Sequence, residues 1–456
     1  MPLNLSSTAE EARRILALAW PVMLTSLNWT LMHMIDVAIV GHVGADQLGA
    51  LAAGRALTFI TIVVGIASMS GIMVFASRYD GAGQRERCGD VLRQGLICSL
   101  AMGIPTALAM FVWSVEITRG IGIAPTFVEE GAQVVQIMAI SFPAQMILAA
   151  TAYFLEGVSR PGRAMTVNLL MLPLNALLAW AWTGGHLGFP AAGAIGAVSA
   201  TAVVSALGAI CMLIAAWTLP DAKLMRVQDL SLATWREAVK EAPRLVKFGF
   251  VPGLGSGLEM AGFSVLIALS TQLGAIATGA FQAVFSLHNF AFAVGIGMAS
   301  AAGVRAGNAV GEGAPDAAVK RTLIAAGLML IGMGLVALLY VVFGVWLAAL
   351  FSNQPDVRDL STKMLRILAP FTLFDGLQLV FVYALRSLGD QVAAGINGII
   401  AFFLVTGGMG WWLIVTLGHG PLALVIAAAS GMVVATILQG GRLLWVSRQS
   451  RLQSSG

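Results

Sequence analysis

Charge is scarce in this chain of 456 residues: Asp, Glu, Lys and Arg together make up only 11% of it. A soluble globular domain carries about 25%, so the sequence lacks the polar surface needed to cover itself in water. Cysteine is scarcer still. Cys88, Cys98 and Cys211 are the whole complement, too few and too scattered for a disulfide framework or a metal cluster. There is no Walker motif, nucleophile elbow or zinc motif, which argues against an ATP-driven pump or an enzyme, and no cofactor is expected. The "G-x-G-x" pieces near Gly253 and Gly295 lack a strand-to-helix setting and read as close helix packing. The net charge of +4 is too small to signal a nucleic-acid partner.

Apolar side chains are abundant instead, at 58% of the chain, with a mean hydropathy of +0.87. Runs of about twenty or more apolar residues recur from end to end, each long enough to cross a hydrocarbon core of roughly 30 Å as a helix. A β-barrel would show alternating decamers instead. The expected class is an all-α polytopic membrane protein. The first run, Ile15 to Val40, is too long for a signal h-region and reads as a first span.

Twelve transmembrane helices are expected, at about 15–40, 51–76, 93–115, 131–155, 164–185, 191–218, 246–271, 277–304, 322–351, 364–385, 392–417 and 421–446. Basic residues concentrate in cytoplasmic loops. With the N-terminus inside, 21 of the 26 Lys and Arg residues fall inside. Only Arg55, Arg119, Arg358, Lys363 and Arg366 fall outside. Both termini are therefore expected in the cytoplasm, in a multi-pass protein of the cell (inner) membrane.

The chain also repeats itself at an offset of 230 residues. "VVGI" at 63–66 falls on "AVGI" at 293–296, Gly44 and Ala45 on Gly274 and Ala275, and Gly81 and Gly83 on Gly311 and Gly313. Leu155 falls on Leu385. Six helices per repeat is an even number, so both halves enter the membrane the same way, related by an axis along its normal. The expected organisation is two pseudo-symmetric six-helix bundles, 1–220 and 246–456, joined by a cytoplasmic linker, 221–245. The amphipathic piece "LATWREAVKEAPRLV" is expected to lie on the membrane surface as part of that connector.

Against this background three acids stand out within spans: Asp36, Glu259 and Asp375. A carboxylate at a helix centre costs about 2.5–3.5 kcal/mol on insertion scales and usually faces a partner or a cavity. At the repeat offset they land on Leu266, Trp29 and Gln145, so none is duplicated. An acid kept only to hold a bundle together would more readily recur. Such a group can trade a proton or a sodium ion between states, and hard oxygen ligands suit either. Pro21, Pro252 and Pro370 lie near these acids and mark bends, either static or mobile. His33 and His288 read as satisfied packing histidines rather than metal ligands.

These features together resemble the multidrug and toxic compound extrusion (MATE) transporters. "WPVMLTSLNWTLMHMIDVAIVGHVGADQLGALAAG" carries Pro21 and Asp36 where the family has its first-helix proline and aspartate. "GMASAAGVRAGNAVGEG" resembles the segment after the eighth helix, and "LRSLGDQ" the family's "LRGxGD" turn after the tenth. Glu259 and Asp375 match the acid pair of the NorM-like branch. Asn175 and Thr201 are similar to the polar residues that accompany the first-helix aspartate, while Ala179 stands where a second polar side chain is usual.

The resemblance implies secondary active efflux of organic cations in exchange for sodium or protons, by alternating access. Asp36, Glu259 and Asp375 would carry coupling ion and cationic substrate, each also a possible sodium ligand. Met34, Phe281, Phe285 and Phe374 are candidates for lining an adaptable apolar cavity. The partners expected are small cationic amphiphiles and membrane lipid, for a chain acting as a monomer. A flippase for a lipid or lipid-linked sugar is the alternative, and would favour intramembrane basic residues. A membrane enzyme or sensor would need a catalytic constellation or an added domain.

Overall fold

The computed structural model describes residues 5–120 and 125–454. Among these residues it is helical, without strands. Twelve helices are long and apolar enough to span a bilayer. They are α1 Thr8–Val43, α2 Asp46–Gly81, α3 Glu86–Val112, α4 Phe127–Gly157, α5 Pro161–Gly184 and α6 Gly193–Trp217. The second set is α7 Leu232–Gln272, α8 Ala275–Gly311, α9 Pro315–Ala349, α10 Pro355–Leu388, α11 Gln391–Thr416 and α12 Leu422–Gln449. The chain is a multi-pass membrane protein of the expected helical class.

Local chemistry sets many of the ends. Pro161, Pro315 and Pro355 open α5, α9 and α10, where the missing proline N–H costs nothing because the first turn has no acceptor for it. Left-handed residues close others. Gly83 (φ 71°) and Gly313 (φ 72°), Gly188 (φ 85°) and Gly418 (φ 67°), and Ser159 (φ 60°) and Gly389 (φ 92°) are three pairs, each separated by 230 positions. The repeat visible in the sequence is thus a repeat of turn geometry.

Two elements differ from expectation. The piece from Leu232 onward is not a separate surface connector but the first part of a single continuous helix, α7, of 41 residues. Its apolar side buries Ala238, Ala242, Leu245 and Phe248. Phe248 packs edge-on to Phe75 at 5.2 Å, and that packing favours helix over a loose connector. Secondly, α2 begins at Asp46, so Arg55 lies within the helix rather than at its end.

The chain divides into two compact units. The N-unit is Leu24–Gly253; the C-unit is Met1–Met23 with Leu254–Gly456. Both divisions interrupt a helix, α1 after Met23 and α7 after Gly253, just past Pro21 and Pro252.

Within the N-unit, Val40, Leu51, Ile62, Met138, Phe142, Met146 and Val198 form a core. Within the C-unit, Phe263, Leu266, Phe281, Phe402, Leu424 and Met432 form another. Ile15 and Ala19 of α1 pack with Met298, Met329, Met333 and Val380. Large apolar residues such as Leu108, Ile140, Ile331, Trp346 and Ile437 are more than half exposed, as suits lipid-facing helices.

Candidate functional site

In the N-unit, Asp36 sits near the end of α1 with no solvent exposure. Three helices supply donors to it. Asn175 of α5 donates from Nδ2 to Oδ1 at 2.8 Å. Thr201 of α6 donates from Oγ1 to Oδ2 at 3.0 Å. Arg55 of α2 donates from Nη2 to Oδ2 at 2.5 Å, forming an ion pair whose side chains are 14% and 0% exposed. Burial of one charge is tolerated because a full counter-charge and two neutral donors surround it.

Arg55 also donates from Nη1 to the His33 carbonyl at 3.3 Å, which tethers the guanidinium to the turn before Asp36. The Thr201 hydroxyl has a second acceptor, the Ala197 carbonyl at 3.2 Å. Asn175 Oδ1, Arg55 Nε and His33 Nε2 are buried without a hydrogen-bond partner among the described residues. His33 is therefore not the satisfied histidine the sequence implied; its ring packs edge-on to Trp29 at 4.7 Å. Ala179, one turn after Asn175, is buried and offers no oxygen.

The C-unit holds the other acids. Around Pro370, α10 tightens into a 3₁₀ turn, Ala369–Phe371, and a new α-helical stretch starts at Thr372. Asp375 lies in the first turn of that stretch. Gln378 Nε2 donates to its Oδ1 at 3.3 Å, and His288 Nε2 of α8 lies 3.7 Å from its Oδ2. That second distance is too long for a direct hydrogen bond. Glu259 of α7 lies within electrostatic range of Asp375 and of Arg386. His288 Nδ1 is buried and unpartnered among the described residues, so this histidine is not satisfied either.

Phe281, Phe285 and His288 line a small cavity with Phe263, Leu368 and Met432; its volume of about 10 Å³ is room for about one water. Phe374 packs against the same core, and its carbonyl accepts from Thr436 Oγ1 at 2.6 Å. Met34 is 44% exposed. Two residues before Asp36, it points from a different side of α1.

The structure thus gathers Asp36, Asn175 and Thr201 in one unit and Glu259 and Asp375 in the other. Sequence reasoning missed Arg55, His288 and Gln378. Arg55 carries a signal, an arginine flanked by "LAAG" and "ALTF", but the charge count places it among the outside basic residues. No group of three or more His, Cys, Asp or Glu capable of holding a metal occurs among the described residues.

Two sets of spans related by an internal repeat, with carboxylates buried in both, define the class as a polytopic membrane transporter. The MatE family model matches the chain twice, at residues 21–181 and 253–412. The chain belongs to the MatE family, and each half of the repeat carries one copy of its signature. A probable multidrug resistance protein NorM from Caulobacter vibrioides is 28% identical, over 94% of this chain and 90% of the relative. The multidrug resistance protein NorM of Photobacterium profundum is 25% identical, over 96% of each. Among solved structures, the eukaryotic MATE transporter AtDTX14 superposes with a TM-score of 0.85. It covers 98% of this chain and 99% of that one at 19% identity, a likeness of fold.

Proposed function

We propose that the protein is a multidrug efflux transporter that exports organic cations in exchange for sodium or protons by alternating access. The observation that carries this reading is Asp36, a fully buried carboxylate inside an apolar span, held only by hydrogen-bond donors. Family membership and the names of the NorM relatives support the multidrug part. In this reading Asp36, Glu259 and Asp375 alternately hold coupling cation and cationic substrate, and Pro21 lets α1 bend. One charge moving through 100 mV contributes roughly 2.3 kcal/mol, about fortyfold in gradient, so one or two coupling ions suffice.

The positive-inside count supports an inner-membrane location with both termini cytoplasmic. Complete acid sites within a single chain support action as a monomer. The flippase alternative draws little from Arg55, because its charge is already engaged by Asp36.

The test is ethidium transport by the purified chain in liposomes, under an imposed sodium gradient and then an imposed proton gradient. Asp36→Asn, Glu259→Gln and Asp375→Asn are each expected to reduce coupled transport at least tenfold. Undiminished transport in all three overturns the carboxylate mechanism, and the gradient that drives wild-type transport identifies the ion.

A further inference from the structure

We infer that Arg55 is a tethered cation that occupies the coupling-ion position on Asp36 and must leave before that ion binds. The inference rests on the reading of Asp36 as a coupling carboxylate and adds the residue that sets its affinity.

Four observations lead to it. First, the pair is asymmetric: at the repeat offset Asp36 corresponds to Leu266 and Arg55 to Phe285, so the scaffold folds around an apolar pair in the other half. Secondly, the guanidinium is held at both ends. Nη2 is on Asp36 and Nη1 on the His33 carbonyl, so it can release the carboxylate while keeping one anchor. Thirdly, Asn175 turns its Nδ2 to the carboxylate while its Oδ1 stays buried and unpartnered. A buried amide oxygen beside a carboxylate is an idle cation ligand, and Arg55 at present fills the need for positive charge. Fourthly, the Thr201 hydroxyl has the Ala197 carbonyl as a second acceptor, so it stays satisfied when Asp36 exchanges its partner.

The carboxylate keeps one positive partner throughout. Arg55 is permanently cationic; when it withdraws, a sodium ion or proton takes its place on the carboxylate and adds one positive charge to the unit, and when that cation leaves, Arg55 returns. The charged group that faces Asp36 is Arg55 on α2; Asn175 and Thr201 supply neutral donors from α5 and α6. A competitor tied into the site lowers apparent ion affinity by the fraction of molecules in which it has withdrawn. It also keeps an empty carboxylate from crossing the membrane uncompensated, which would otherwise leak coupling ion.

The experiment compares wild type, Arg55→Met, Arg55→Lys and Asp36→Asn, each as the full chain in liposomes. The readouts are the half-saturating concentration of coupling ion for ethidium transport and the downhill ion flux without ethidium. Arg55→Met is expected to lower the half-saturating concentration at least tenfold and to raise the ethidium-free flux. Arg55→Lys, which keeps the tethered charge, is expected to stay within threefold of wild type. An unchanged half-saturating concentration in Arg55→Met, with Asp36→Asn impaired, overturns the inference alone. Unimpaired Asp36→Asn instead overturns the coupling reading beneath it. If Arg55→Met does not fold, Arg55→Gln, which removes the charge but keeps a donor for the His33 carbonyl, is read in the same way. A lowered half-saturating concentration supports the exchange, and an unchanged one overturns it.

Discussion

Ser159 and Gly389, 230 positions apart, close the turns after α4 and α10 with the same left-handed backbone, φ 60° and φ 92°. In each half the next residue is charged, with opposite signs. Arg160 lies 3.7 Å from Asp221, beyond the end of α6, and Asp390 pairs with Arg442 on α12 at 2.5 Å. The repeat keeps the turn and its ionic tie while reversing the polarity of the tie.

A serine in the left-handed region costs about 1–2 kcal/mol, partly offset by the greater freedom a glycine loses on folding. Ser159→Gly is therefore expected to raise stability by up to about 1 kcal/mol. Gly389→Val forces a β-branched side chain into that region and is expected to lower stability by about 1–3 kcal/mol. Thermal unfolding of the purified protein in detergent checks both. A lower melting temperature for Ser159→Gly contradicts the assignment of strain to this turn.

The start of α1 is clamped within the C-unit. Glu11 accepts from Arg305 Nε at 2.6 Å and Nη2 at 2.7 Å, and Arg321 lies 3.8 Å away with a second partner in Glu312. Bidentate pairs of this kind are stronger than neutral hydrogen bonds, and these side chains are only 11–16% exposed. Glu11→Gln keeps the shape but removes the charge opposite two arginines. A loss of about 1–3 kcal/mol is expected, read as earlier thermal unfolding and faster proteolysis of the α1 start. A wild-type digestion pattern is incompatible with the clamp.

The spans and the repeat were legible because a bilayer fixes helix length and a duplicated chain keeps its turns. What escaped depended on where polar residues turn out to be helical. The first turns of α2 carry Asp46 and Gln47, which read as loop, so the helix seemed to begin later and Arg55 seemed terminal. Likewise the charged run from Arg236 to Lys247 concealed that its apolar face packs on Phe75. The approach of His288 to Asp375 crosses 87 positions between α8 and α10; no local pattern encodes that. Asp36, Asn175 and Thr201 were assembled from the family resemblance, and their convergence on one carboxylate is a matter of geometry.

Close helix approach gives a sharper mutational test. A Cβ added at Gly249 of α7 would lie 1.8 Å from the Ser68 carbonyl oxygen and 2.7 Å from its carbon. Those atoms are backbone and cannot swing aside. Overpacking usually costs about 1–3 kcal/mol, and a rigid neighbour puts Gly249→Ala at or above the upper figure. A Cβ at Gly279 would meet Val357 no closer than 3.5 Å, so Gly279→Ala is the matched control. Folded yield after detergent extraction should fall for the first and hold for the second. Equal yields mean that α2 and α7 do not pack this closely.

The last prediction concerns His288, whose ring faces Asp375 across 3.7 Å and packs against Phe263 at 6.1 Å. Gln378 donates to the other carboxylate oxygen at 3.3 Å, so Asp375 meets an amide from its own helix and an imidazole edge from α8. His288→Leu keeps apolar volume beside Phe263 but removes the ring nitrogen that faces the carboxylate. The half-saturating concentration of coupling ion for ethidium transport is expected to change by roughly threefold or more in that variant, the size of one lost polar interaction. His288→Gln, which keeps a polar group beside the carboxylate, should lie closer to wild type. Unchanged half-saturating concentrations in both variants, with both proteins folded, mean that His288 serves packing only and that Asp375 works without it.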